Sequence, residues 1–231
     1  MLYCMQDLPK TSVTKAVAAV AELIFTGQLP AGSPVREIDM ANRLGMSRTP
    51  VREAISQLVA RGLLTKEGGR SARVHRPSLE DILEIYELRR ITEGHLVAIA
   101  ARQFDSKSLD KLRRAEEKLR TTSGDAWFAH HIAFHNMIID AAGKPRFSAL
   151  AASLRDQSEP YVRLATKLDS ALCQRAEIEH SALLKAMETG DGEMARTLTE
   201  AHLQSTVDSV DRIFRAAQGM LLPLGSANSS R

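Results

Sequence analysis

Cysteine, aromatic residues and long apolar runs are all scarce in this chain, and each scarcity removes a class of protein. The two cysteines, Cys4 and Cys173, stand far apart, which excludes a disulfide framework and a cysteine-based metal motif. No stretch approaches the roughly eighteen apolar residues of a membrane span. The opening "MLYCMQDLPK" lacks a basic leader and a long apolar run, and Asp7 interrupts it early, so it does not read as a signal peptide. These absences predict a cytoplasmic protein with no membrane partner. Aromatics make up only 4% of residues, so the cores must be built from Ala, Leu, Ile and Val, a palette that suits helices. Catalytic patterns are thin as well. Carboxylate-bridged di-metal bundles need paired Glu-x-x-His motifs, and the chain offers only Glu177 with His180. No Asp or Glu is obviously placed as the general base of a mononuclear hydrolase. The chain is therefore not expected to be an enzyme, with a helical-bundle metalloenzyme kept as the rival reading.

What is present divides in two. The 231 residues are long for one compact domain and comfortable for two. In residues 1–76, 11 Lys and Arg face 6 Asp and Glu, a net of +5. The remaining 20 against 22 give −2. A basic front on a slightly acidic back suggests that the front meets a polyanion.

The front carries the pattern to do so. "SVTKAVAAVAELIFTGQLPAG" places Val13, Val17, Val20 and Ile24 at helical spacing before a turn. "VREIDMANRLGMS" reads as a second short helix, with Ile38, Ala41 and Leu44 inward and Gly45 closing it. "SRTPVREAISQLVARG" follows, with Ser47 as N-cap, Pro50 tolerated in the first turn, and Val51, Ile55, Leu58 and Val59 as the inward stripe. Two short helices joined by a glycine turn form a helix-turn-helix pattern, whose second helix enters the major groove by its N-terminal end. Arg48, Thr49 and Arg52 stand at that end, and Arg36 opens the preceding helix. Arginine can offer a bidentate pair to guanine or clamp a phosphate. "LLT" and "ARVH", around "KEGGRS", read as a hairpin wing with Lys66, Arg70 and Arg73 near its tip.

The run "TGQLPAGSPVREIDMANRLGMSRTPVREAISQLVARGLL", above all its "SRTPVREA", resembles the winged helix-turn-helix domain of GntR-family bacterial transcription regulators. The resemblance implies DNA contacts at Arg48, Thr49 and Arg52, with a wing contact near Arg70. Ser71 stands where that family often has glycine, a departure that bears on wing geometry.

Beyond "HRPS" (75–78) the periodicity is helical almost throughout. Helices are expected near 78–103, 106–121, 125–142, 146–168, 170–189 and 191–217, with no strands. The expected fold class is mainly α. A winged helix-turn-helix at 11–76 leads to an all-α bundle of about six helices at 77–218. A flexible N-terminus at 1–10 and a flexible tail at 219–231 flank them.

Three of the seven histidines fall in "HHIAFH" at 130–135. His131 and His135, four apart, share a helix face, and His180 and His202 lie on two later helices. A bundle can aim such side chains at one interior point, and imidazole is a common ligand of divalent transition metals. His130 points about 100° away from His131 and reads as a surface or supporting residue. The pieces "YELRRITEGHLVAIAA", "AFHNMIIDAAGKP" and "EHSALLKAMETGD" with His202 are similar to the ligand-binding FCD domain of the fatty-acid-regulator branch of the GntR family. That resemblance implies a metal held by an aspartate, a histidine four residues later, and two further histidines. The histidines map to His135, His180 and His202, and His131 occupies the aspartate position. An all-histidine site should take Zn²⁺, Ni²⁺ or Cu²⁺ and suit oxygen-preferring Mn²⁺ less well. The alternative is a regulator whose pocket has lost its metal. The resemblance also implies that Arg89 faces the pocket and pairs with an effector carboxylate, with Arg163 and Tyr161 as further lining. The expected function is repression of transcription. A homodimer would bind palindromic operator double-stranded DNA, under control of a small carboxylate effector in a zinc- or nickel-containing bundle.

Overall fold

The computed structural model describes residues 11–66, 68 and 71–221. The expected N-terminal segment at 1–10, the tip residue Arg70 and most of the expected tail lie outside the described residues.

Three helices and three short strands make the head. Helix α1 (Ser12–Phe25) starts at Thr11, whose hydroxyl accepts from the Thr14 amide. Helix α2 (Glu37–Leu44) ends at Gly45, which takes the left-handed conformation (φ 63°) that glycine adopts without strain. Helix α3 (Arg48–Ala60) follows, with Ser47 at the N-cap position but making no side-chain cap bond. Val17, Val20, Ala21, Ile24, Val51, Ile55 and Leu58 fill the core between α1 and α3. One inward assignment fails: Ile38 is 54% exposed. It lies in the first turn of α2 and lines a shallow surface groove with Arg36 and Arg48, while the buried positions are Met40 and Ala41. The wing holds one strand more than expected. Strands β2 (Leu64–Thr65) and β3 (Ala72–Val74) pair antiparallel, and β1 (Pro34–Val35) pairs with the other edge of β3, giving the order β1-β3-β2. Two residues are too few to show alternation, which is why β1 left no sequence signal.

The rest is helical. Helix α4 (Leu79–Ala101) opens on a capping box in which the Ser78 hydroxyl and the Asp81 carboxylate satisfy each other's backbone amides. Helices α5 (Ser106–Thr121), α6 (Asp125–Ala141), α7 (Pro145–Leu168), α8 (Ser170–Thr189) and α9 (Gly192–Leu221) follow near the expected boundaries. Leu96, Leu112, Leu119, Phe134, Ile138 and Met187 form the main bundle core. A second cluster surrounds Tyr86, Leu203 and Val207. Among the described residues no helix is long and apolar enough to cross a membrane.

Candidate metal centre and DNA-reading surface

The bundle brings together the four histidines of the sequence pattern. His131 and His135 project from one face of α6, His180 comes from α8 and His202 from α9. All four are buried, and one ring nitrogen from each lies within 4.8 Å of the others. Ring centroids are 4.7 Å apart for His131 and His135 and 4.8 Å for His180 and His202. Trp127 stacks on His131 at 4.7 Å and 14°, fixing that ring from outside. Glu179 accepts from, or shares a proton with, His202 Nδ1 at 2.6 Å. Burial, reinforced by mutual repulsion within the cluster, holds His131, His135 and His180 well below the usual histidine range. They are therefore neutral near pH 7, the form that coordinates metals.

Without an ion the cluster is poorly satisfied. His135 Nε2 and His180 Nε2 face each other at 3.0 Å, and a single proton can serve only one direction of that contact. His131 Nδ1 and His180 Nδ1 are buried with no hydrogen-bond partner, each such orphan costing roughly 1–3 kcal/mol. Four imidazoles around one point, with buried ring nitrogens of His131 and His180 left without partners, fit a divalent transition metal. His130 is only half-buried and outside the cluster.

Beside the histidines lies a buried guanidinium pair. Arg89 on α4 donates Nε to Glu93 Oε1 at 2.8 Å and Nη1 to the Ser158 hydroxyl at 3.0 Å. Arg155 on α7 donates Nη2 to the other Glu93 oxygen at 3.0 Å and Nη1 to Asn136 Oδ1. One carboxylate thus spans two arginines. Despite its burial, Glu93 is held below the usual carboxylate range by Arg155 and Arg89. The free space beside Arg155, walled by Ile132, Asn136 and Glu159, is about 10 Å³, room for a single water. Arg155 and Glu93 escaped the sequence reading. The signals were there: Glu93 sits four residues after Arg89, and Arg155, Glu159 and Arg163 recur at intervals of four on one helix face. The structure places Arg163 and Tyr161 elsewhere, along a cleft between head and bundle.

In the head, Arg48, Thr49, Arg52 and Arg36 are all exposed around the start of α3. Arg48 leans on Glu37 at 3.7 Å and Arg36 on Asp39 at 3.9 Å, loose surface pairs that leave both guanidiniums free to turn to another anion. Lys66 and Arg73 are exposed at the wing, Arg73 Nη1 donating to the Gly32 carbonyl at 2.9 Å.

Known proteins repeat this two-part layout. Residues 13–74 match the gntR family of bacterial regulatory proteins, and residues 84–205 match the FCD domain. The chain is 31% identical over 220 residues to the "Probable D-xylose utilization operon transcriptional repressor" of Paenarthrobacter nicotinovorans, covering 91% of this chain and 96% of that one. It is 27% identical over 200 residues to the HTH-type transcriptional repressor GlaR of Escherichia coli K12, covering 82% and 91%. The solved structure of E. coli McbR/YncC superimposes with a TM-score of 0.79 at 22% identity, over 88% of this chain and 99% of that one, a likeness of fold. The chain belongs to the GntR family of bacterial regulators, in its FCD-domain branch, and is a DNA-binding transcription regulator, not an enzyme.

Proposed function

We propose that this regulator is a cytoplasmic, homodimeric repressor whose hold on a palindromic operator is set by a small carboxylate effector in a metal-bearing bundle. The observation that carries the reading is the buried cluster of His131, His135, His180 and His202. These residues would hold Zn²⁺, with Ni²⁺ as the nearest substitute, because an all-imidazole shell favours borderline metals. A bound ion would supply a positive centre tying α6, α8 and α9 together. Arg89 and Arg155 supply the complementary fork for a carboxylate, now filled by Glu93. An incoming effector would take that fork from Glu93 and widen the small space beside it. Two relatives named as repressors support repression over activation.

In the head, Arg48, Thr49 and Arg52 would read or clamp the major groove and Arg36 the adjacent backbone. Arg70 would reach from the wing. The dimer is supported by an apolar strip that the monomer leaves open. Leu88 and Ile91 of α4 are 40% and 62% exposed, and Phe147 and Leu150 of α7 are 43% and 46% exposed. Ile91, His95 and Phe147 line one groove. A second copy covering this strip would space two α3 helices for a two-fold site.

Binding of the full chain to fragments of its source genome, measured with and without Zn²⁺ and a panel of small organic acids, tests the reading. One fragment should bind with a steep salt dependence, and one acid should change that affinity at least about fivefold. A fragment bound equally well under every acid and metal condition would overturn the effector half while leaving the DNA-binding half standing.

A further inference from the structure

Head and bundle meet along α7, and one side chain of that helix touches both sides of the junction. Arg163 is buried, its side chain only 7% exposed. From the bundle it receives Glu159, accepting from Arg163 Nε at 3.0 Å, and the Phe128 ring, 4.6 Å from the guanidinium carbon. From the head it receives Glu22, accepting from Nη1 at 3.3 Å, and the Phe25 ring at 5.5 Å. One carboxylate and one aromatic face arrive from each domain. A planar guanidinium is suited to this double duty, because it can stack on rings and bond carboxylates in its plane at the same time.

What lies behind each partner gives the contact its meaning. Phe128 stands one helical turn before His131, and its neighbour Trp127 is stacked on the His131 ring. On the other side, Phe25 is part of the same close-packed core as Val51, Ile55 and Leu58 of the recognition helix α3. Close-packed interiors pass displacements on, since no gap absorbs them. The remaining polar contacts between head and bundle, among the described residues, are looser. Arg61 lies 3.7 Å from Asp156 with no hydrogen bond, and the Ser153 hydroxyl reaches the Arg61 carbonyl at 3.4 Å. A cleft of about 250 Å³ lies beside these anchors, lined by Leu29, Pro30, His75, Tyr161 and Arg163 among others. The head is thus pinned at few polar points beside unfilled space.

We propose that Arg163 is the positioning residue that couples the histidine-bearing helix α6 to the DNA-reading head, rather than a contact for the effector. The metal arm of its test rests on the proposed metal reading. Ordering of His131 and His135 by an ion restrains α6, Phe128 follows, and Arg163 transfers the restraint to Phe25 and Glu22 of α1. Helix α1 carries it to α3 through their shared core.

Hydrogen–deuterium exchange on the full chain, with Zn²⁺ alone as the probe, tests this. In the native sequence Zn²⁺ should slow exchange in α6, α8 and α9, and also in α1 and α3 by at least about fivefold. Arg163→Gln should keep the first effect and lose the second. Glu22→Gln, which changes only an exposed carboxylate, should weaken the second about twofold. Head protection of native strength in Arg163→Gln would overturn the proposal. If Zn²⁺ changes nothing in α6, α8 and α9 of the native chain, the metal reading fails, and a metal-free arm decides the coupling. There, Phe128→Leu should speed exchange in α1 of the native chain and add nothing when residue 163 is already glutamine. Equal acceleration in both backgrounds would overturn the proposal.

Discussion

The head and the bundle distribute their polar groups in opposite ways. Among the described residues, every polar or charged residue buried as a whole belongs to the bundle, from Arg89 to Ser209; in residues 11–76 only single atoms such as Ser33 Oγ and Arg61 Nη1 are buried. The head keeps an interior of Val, Ile, Leu and Ala and carries its cations outside, at Arg36, Arg48, Arg52, Lys66 and Arg73. The bundle draws two arginines, a glutamate and four histidines into one region. Burying charge costs several kcal/mol per ion unless it is paired, and replacing such groups by hydrocarbon is often neutral or stabilising. Stability alone would therefore favour the head's solution in both places. A surface that recognises a polyanion needs charge where water is; an interior that selects one small ligand needs it where water is absent.

The sharpest way to break this contrast is to remove the bundle's polar centre. If the histidine cluster binds Zn²⁺, free ion at about a thousandfold excess over its dissociation constant should stabilise the native chain by about 4 kcal/mol. His135→Ala combined with His180→Ala should abolish that gain, and elemental analysis of tag-free protein should show the bound metal gone. Equal metal content in both proteins would remove the metal claim. Measured without metal, where neither protein holds an ion to restrain α6, the DNA affinity of the double variant should stay within about twofold of native.

How far these two regions could be read in advance differs for a physical reason. Helix periodicity, Gly45 and the "SRTPVREA" run made the head legible because its determinants are local and its reading side chains are exposed. Strand β1 was missed, because two residues pair through a partner some forty positions away, Val35 with Ala72. In the bundle the four histidines could be placed on helices and their convergence inferred, since spacing by four fixes one face. The Glu93 bridge between Arg89 and Arg155 could not, because Arg155 comes from another helix 62 positions on. Arg163, which the resemblance implied as pocket lining, lies along the cleft between head and bundle; which cavity a side chain meets depends on how α7 crosses the head, and no local pattern encodes that. The inward assignment of Ile38 failed likewise, because burial depends on what covers a face as well as on its period.

A second test sharpens the contrast through pH. Burial pushes Glu159 up to about 7 and Asp156 up to about 6, with Arg163 and Arg61 pulling the other way. An unfolded glutamate titrates near 4.5. Between those values the folded chain holds a proton on Glu159 that the unfolded chain has released. The contribution of Glu159 to stability is therefore complete below about 4.5 and is lost as pH rises through about 7. Glu159→Gln should remove from the pH dependence across that window a loss of stability on the order of 2–3 kcal/mol, read as the difference between the native and variant curves. The slope that remains near pH 6 combines Asp156, which has the same sign as Glu159, with His131, His135 and His180, whose depressed values give the opposite sign.

The smallest effect is expected where charge already lies in water. Arg48→Ala removes an exposed guanidinium whose partner in the free protein, Glu37, is 3.7 Å away, and should leave folding stability within about 0.5 kcal/mol of native. Its effect belongs to DNA alone. If Arg48 bonds a base edge, its removal should cost about 1–3 kcal/mol of operator affinity and relax discrimination at one base pair. If it bonds a phosphate, its removal should weaken all sequences alike and reduce the salt slope by about one. Comparing Arg48→Ala with Arg52→Ala, one helical turn apart, over a salt titration separates the two roles residue by residue. Were either variant to lose stability instead of DNA affinity, the division between an outward-charged head and an inward-charged bundle would not hold at the recognition helix.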